Sequence, residues 1–190
     1  GQAGRNPDSP VFFELRRTPK ELLITYWFFY GYSRPHVAPD LPGGDVLRNE
    51  LSHEGDWENV DVALSPDGTK AVAMYLYGHG RPTRVPWEQV EPGPDRHPLA
   101  YGAWDSHASY AKARPVKVCS PLGCARDVSV RGWRWDTWHN LRPVKAEPWY
   151  GFGGAWGAAG PVSDRTGPLG PSPSKLPADP DPGDLPAVSH

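Results

Sequence analysis

Two carboxylates stand where a strand begins in the stretch His53–Glu58, which reads HEGDWE. Side chains alternate along an extended chain, so Asp56 and Glu58 share one face with the alternate apolar residues between Val60 and Leu64. Burying a lone carboxylate either costs free energy or raises its pKa until the group is neutral. The pair therefore needs a cation, an arginine or an open sheet end.

A divalent cation would satisfy both carboxylates. His53 lies just before them, and Asp45 follows two glycines that let the backbone fold back towards a site. Oxygen-rich ligation with one imidazole suits Mg²⁺, Mn²⁺ or Ca²⁺ better than Zn²⁺. We predict a metal site formed by Asp45, His53, Asp56 and Glu58. The alternative is that Asp56 and Glu58 lie at a solvated strand end and pair with Arg or Lys.

The elements that hold such a site must be mostly strands. The chain of 190 residues has 24 Pro, 21 Gly and 9 Trp, and Pro and Gly break helices while Trp favours strands. The net charge of −2 excludes the basic footprint of a nucleic-acid binder. We expect a monomer with one soluble domain.

The distribution of Pro, Gly and polar residues divides the chain into three parts. We predict a flexible arm over 1–10, a single β-sandwich or jelly-roll domain over 11–168 with short helices and long loops, and a Pro-rich disordered tail over 169–190. Ser65–Gly68 is a turn that joins two strands into a hairpin. Further strands are predicted over Leu22–Tyr32, Leu99–Trp104, Val116–Cys119 and Val128–Trp135, and short helices over Asp105–Lys112 or Trp135–Leu141.

Cys119 and Cys124 are the two cysteines of the chain. Pro121 and Gly123 between them favour a turn that brings the sulfurs together, whereas no further soft ligands stand at zinc-site spacing. We expect a disulfide, with free thiols as the alternative. A disulfide implies an oxidising compartment, so we expect a secreted, extracellular protein.

The order of several motifs resembles one known family. They are HEGDWE at 53–58, YGHG at 77–80, DSHASY at 105–110, WDTW at 135–138 and WYGFGGAWG at 149–157, followed by the Gly-Pro pairs at 160–161 and 167–168. In this order they resemble the family named after vacuolar protein sorting-associated protein 62. The resemblance covers about Leu22 to Pro168.

That family is distantly similar to the secreted necrosis-inducing NLP-type toxins, whose signature Gly-His-Arg-His-Asp-Trp-Glu lies on a β-sandwich. In the toxins the first His, the Asp and the Glu of the signature, with an upstream Asp, hold a divalent cation used to engage a membrane glycosphingolipid. The resemblance implies the same roles for His53, Asp56, Glu58 and Asp45. Here Glu54-Gly55 replaces the toxin's Arg-His, so sphingolipid specificity and cytolysis are not implied.

Two histidines stand out because they fall in the family motifs. His79 and His107 would line the ligand side of the metal, or act as general base if the protein is an enzyme. The alternative is that each imidazole bonds a loop carbonyl. Ligand contacts are expected from Trp133, Trp135, Asp105 and Tyr110, since an exposed indole offers a flat face to a sugar ring.

Three functions follow from these residues. The first is a secreted protein that binds Ca²⁺, Mg²⁺ or Mn²⁺ and recognises a glycan, a lipid headgroup or another small polar ligand at a cell envelope. A toxin-like role is one form of this function, and a headgroup ligand would bring peripheral membrane contact. The second is a metal-dependent hydrolase of a phosphoester or glycan that uses a metal-bound water with His107 or His79. The third is a structural ion site. The residues leave open whether the protein is an enzyme.

Overall fold

The computed structural model describes residues 6, 8–34, 52–78, 82–120, 123–157 and 170–171. Ten strands lie in this part of the chain. They are β1 (Val11–Arg17), β2 (Leu22–Ser33), β3 (His53–Leu64), β4 (Ala71–Leu76), β5 (Thr83–Pro86), β6 (Tyr101–Gly102), β7 (Ser109–Tyr110), β8 (Pro115–Ser120), β9 (Gly123–Val128) and β10 (Leu141–Pro143).

Six strands form one large sheet in the order β10-β1-β2-β3-β4-β5. Its neighbouring strands are antiparallel except β10 and β1, which are parallel. Strands β6 and β7 form one two-stranded sheet, and β8 and β9 form another. The helical segments described are short 3₁₀ turns, at Trp87–Gln89, Pro94–Arg96, Thr137–Asn140 and Val144–Ala146. The prediction of a mainly β fold is confirmed, and the arrangement is consistent with a β-sandwich.

The β3–β4 hairpin forms where the turn residues predict it. Ser65 N donates to Lys70 O at 2.7 Å, and Gly68 N donates to Ser65 O at the same distance. Gly68 has a φ of 75°, a conformation that a residue without Cβ adopts at little cost. The turn sets the register between β3 and β4.

Both faces of the sheet carry apolar clusters. One face holds Val60, Val62, Met74, Leu76 and Val85. The other face holds two clusters, one of Leu23, Ala63, Ala73 and Tyr75 and one of Phe12, Trp27, Trp57 and Val144. Strand β3 therefore contributes alternate residues to two cores.

Some expectations about elements are wrong. Residues 129–135 form no strand; instead β9 precedes them and ends at Val128. Asp105–Lys112 is not helical, since it contains a turn and β7. A 3₁₀ turn does form within Trp135–Leu141. The extended part of Asp105–Lys112 is β7, which pairs with the nearby β6, and such pairing decides a short strand more than residue type does.

Two residues of the expected tail, Gly170 and Pro171, lie within the described part of the chain. Gly170 lies against two indole rings, such that a Cβ on it would come 2.5 Å from Trp156 Nε1 and 3.0 Å from Trp57 Nε1. Pro171 is fully buried. These two residues, which belong to the expected tail, contribute to the aromatic cluster. In the described residues no helix is long and apolar enough to cross a membrane.

The hairpin of β8 and β9 places the backbone of Cys119 directly opposite that of Cys124. Cys119 is disulfide-bonded. The cysteines therefore belong to a short two-stranded ribbon rather than to the large sheet.

Candidate functional site

Strand β3 presents Asp56 and Glu58 beside the apolar cluster of Val60 and Val62, as the alternation of side chains predicts. In the antiparallel register Asp56 stands opposite Tyr30 of β2, and Glu58 stands opposite Phe28. Asp56 is buried, with 7% of its surface exposed. The two carboxylates continue the core face towards the end of the sheet.

His107 lies directly over this end of the sheet. Its Nδ1 is 2.9 Å from Asp56 Oδ2, and its ring stacks on that of Tyr30 with centroids 3.9 Å apart and planes 3° apart. Its φ of 59° lies in the left-handed region, which is unusual for a residue with a side chain. The imidazole is thus held by a carboxylate and a phenol ring together.

Glu58 is the least satisfied acid of the site. Burial, Asp56 and Asp127 raise its pKa from 4.5 to about 9, because each of these disfavours the charged form. No residue in the described part of the chain donates a hydrogen bond or supplies a cation to it. At neutral pH the carboxyl group therefore keeps its proton unless positive charge is brought to it.

Asp127, on β9, is a third acid that sequence reasoning missed. Its carboxylate accepts hydrogen bonds from Ser106 Oγ at 3.1 Å and from Tyr110 Oη at 2.7 Å. It is buried, with 3% exposed. Its strand has no motif that marks the residue, and only the docking of β9 against the loop after β6 brings it near Glu58.

The predicted metal ligands are brought together in part. His53 Nδ1 is 2.9 Å from Gly55 O, so this imidazole contacts its own strand. Within the described residues no three His, Cys, Asp or Glu side chains form a group that could hold a metal ion. Asp45 and His79 lie outside the described residues. Asp56 and Glu58 remain as the carboxylates that share one face.

Gly55 lies where another segment of backbone approaches the start of β3 closely. Gly55 has a φ of 72°, and a Cβ there would lie 1.7 Å from Trp156 O. Reciprocally, a Cβ on Gly157 would lie 1.9 Å from Glu54 O. The backbone after Trp156 crosses the start of β3, and two glycines make that crossing sterically feasible.

The predicted ligand-contact residues differ in exposure. Trp133 is exposed. Trp135 is half-buried and packs edge-on against Phe28, with ring centroids 5.7 Å apart. Asp105 O accepts a hydrogen bond from Arg34 N at 2.9 Å, and the Tyr110 hydroxyl is used by Asp127. Their roles in ligand binding stay predictions.

A separate aromatic cleft opens on the opposite face of β3. Its volume is about 220 Å³, and it is lined by Ser9, Pro10, Phe12, Phe29, Trp57, Trp149 and Trp156. Trp57, Trp149 and Trp156 contact one another with ring centroids 5.2–5.3 Å apart. Most of these indoles therefore pack in the apolar cluster of Phe12, Trp27, Trp57 and Val144.

Comparisons with known proteins give one similarity. No family model and no curated protein matches the chain, so the resemblance to the vacuolar protein sorting-associated family has no support beyond the motifs. A solved structure, Necrosis and Ethylene inducing Protein 2 from the causal agent of cocoa's witches' broom disease, is similar with 16% identity and a TM-score of 0.36. The match covers 72% of this chain, which spans about half (51%) of that structure.

Proposed function

We propose that the protein is a secreted, extracellular divalent-cation-binding protein whose cation end recognises a polar ligand such as a glycan or a lipid headgroup. The observation that carries the proposal is Glu58, a half-buried carboxyl group without a described donor or cation, which lies near the buried acids Asp56 and Asp127. An acid that served only the fold would be expected to have hydrogen-bond donors. A cation is the partner that such a group lacks.

The proposal assigns Ca²⁺, Mg²⁺ or Mn²⁺ to this end of the sheet on the chemistry of its acids, although the described residues contain no group of three possible ligands. Asp56 and Glu58 supply carboxylate oxygens, which hard cations prefer. His107 holds one oxygen of Asp56 and so orients that carboxylate, as outer partners of metal ligands do. Asp45 and His53 complete the proposed ligand set. When bound, the cation would neutralise the acids and offer coordination positions to ligand oxygens.

Calorimetric titration with Ca²⁺, Mg²⁺ and Mn²⁺ tests the proposal. The protein should bind one of these ions at one site per chain, and Asp56→Asn and Glu58→Gln should each weaken binding by at least about tenfold. Asp61→Asn is the matched control, since Asp61 is a buried acid of the same strand that is hydrogen-bonded by Tyr77. Absence of binding, or equal loss in the control, would overturn the proposal.

Ligand recognition needs a second measurement. Liposomes that carry glycolipid or anionic headgroups, and soluble glycans of the same structure, should bind the cation-loaded protein and release it on chelation. Trp133→Ala, an exposed indole, should weaken this binding and leave cation affinity unchanged. Retention that ignores the chelator would contradict a cation-dependent ligand site.

The contact between His107 and Asp56 favours hydrolase activity as the second candidate. Because Asp56 holds Nδ1, Nε2 is the nitrogen left to accept a proton from an attacking water. Turnover of generic phosphodiesters or aryl glycosides by the cation-loaded protein, lost in His107→Gln at a cation concentration that saturates the variant, would establish it. Absence of turnover in this panel would leave the binding function alone.

A further inference from the structure

The last two residues of β9, Asp127 and Val128, accept hydrogen bonds from the loop that carries His107. Asp127 accepts hydrogen bonds from Ser106 and Tyr110, at 3.1 and 2.7 Å, and these residues flank His107 in the chain. Val128 O accepts a hydrogen bond from Trp104 N at 2.9 Å. The loop is thus fixed on both sides of the imidazole by one strand end.

The conformation of His107 depends on such support. Asp105 and His107 both have positive φ, of 69° and 59°, and residues with side chains persist there only when their surroundings determine the backbone. Within the loop, Ala103 N donates to Ala108 O at 2.8 Å and His107 N donates to Ala103 O at 3.1 Å. These local bonds shape the turn but do not attach it to the rest of the domain.

We propose that Asp127 is a positioning residue for the cation site: its two hydrogen bonds hold the loop so that His107 contacts both Asp56 and Tyr30. The expected effect of Asp127 on cation affinity rests on the proposed function. Both carboxylate oxygens of Asp127 already accept hydrogen bonds, so it acts through Ser106 and Tyr110. The disulfide-bonded hairpin of β8 and β9 thereby becomes part of the site.

Three variants distinguish a positioning role of Asp127 from an effect of its charge and from a general loss of stability in the hairpin. Asp127→Asn removes the charge and one acceptor, whereas Tyr110→Phe removes a hydrogen bond and leaves the charge. Ser129→Ala is the control on the same strand end, because Ser129 Oγ bonds Lys112 O and Arg114 O, each at 3.0 Å, and does not touch Ser106 or Tyr110.

Two readouts are needed. The first is the NMR chemical shift of the His107 ring protons, which the stacked Tyr30 ring moves upfield whether or not a cation is present. The second is Ca²⁺ affinity by calorimetry. We expect Asp127→Asn and Tyr110→Phe to move the His107 resonances downfield and to weaken Ca²⁺ binding by about tenfold. The double variant should be little worse than either single change, since both break one contact.

The outcomes separate the two proposals. If the wild-type protein binds no cation but both variants move the His107 resonances, the positioning role stands and the cation-binding function is wrong. If Tyr110→Phe leaves shifts and affinity unchanged while Asp127→Asn lowers affinity, Asp127 acts by charge and the positioning role is overturned. Equal shift changes in Ser129→Ala would also overturn it, since the hairpin would then act only by its stability.

Discussion

Asp61 and Glu58 lie on opposite faces of β3, and their carboxyl groups have different surroundings. On one face, Asp61 is 1% exposed and accepts a hydrogen bond from Tyr77 Oη at 2.7 Å. Burial raises its pKa, while hydrogen bonds from Tyr77 and Thr25 lower it in part. On the other face, Glu58 has its pKa raised to about 9 by burial and neighbouring acids, with no donor to offset them.

This difference separates an acid of the fold from an acid of a site. Asp61 accepts a hydrogen bond from Tyr77, although its Oδ1 is buried without a partner among the described residues, so its burial is compensated in part within the sheet. Glu58 is half-buried near Asp56 and Asp127 and has no donor among the described residues. The contrast predicts that changes at Glu58 affect binding and that changes at Asp61 affect stability.

The largest effect on stability is expected where the backbone after Trp156 crosses the start of β3. Gly55→Ala should lower the free energy of unfolding by about 3 kcal/mol, because the Cβ overlaps the backbone at Trp156 and the residue has positive φ. Gly31→Ala on the neighbouring strand is the control, since a Cβ there meets nothing within 4 Å. Denaturant unfolding of both variants measures the difference. Equal stability of the two would show that the crossing is not as tight as described.

Glu58→Gln should reduce cation affinity by about 100-fold and stabilise the cation-free protein at high pH. Because the folded chain raises the pKa of Glu58 from 4.5 to about 9, it holds a proton that the unfolded chain releases in this range. The free energy of unfolding should therefore fall as pH rises, by at most about 1.4 kcal/mol per pH unit. Denaturation with chelator from pH 4 to 9 should show this slope in the wild type and a smaller one in the variant.

Asp61→Asn should lower stability by about 1–3 kcal/mol, because a buried hydroxyl or amide is left with a poor partner. Cation affinity should change by less than about twofold, since the side chain lies on the opposite face of β3. Calorimetry and denaturant unfolding on the same variant check both statements. A loss of affinity like that of Glu58→Gln would erase the distinction between the two faces.

The smallest expected effect is the release of a proton when the cation binds. Cation binding needs the charged form of Glu58, so binding at pH 7 should release close to one proton per ion. Calorimetry in buffers of different ionisation enthalpy measures this number, and affinity should rise as pH approaches 9. Proton release in the wild type that persists in Glu58→Gln would assign the proton to another group.

Sequence patterns predicted the parts of the fold that local chemistry controls. The β3–β4 hairpin was predictable because Ser65–Gly68 combines turn residues with apolar runs on both sides. Strands β1 and β5 were not predicted, although each pairs with a neighbour in the chain, β2 and β4 respectively. Residues 129–135 were wrongly given to a strand, since residue type alone does not decide which segments pair. The metal prediction stays untested, with Asp45 outside the described residues.

By itself the sequence determined which side chains of β3 share a face, because alternation is a property of any extended chain. Only the tertiary structure showed that the backbone at Gly157 crosses Gly55, where a Cβ on either residue would overlap the other segment. Only the tertiary structure decided that His107 stacks on Tyr30, that Asp127 lies near Glu58 and that Glu58 has no described donor. These are contacts between segments about 50 to 80 residues apart, and no local spacing encodes which loop packs over a strand end.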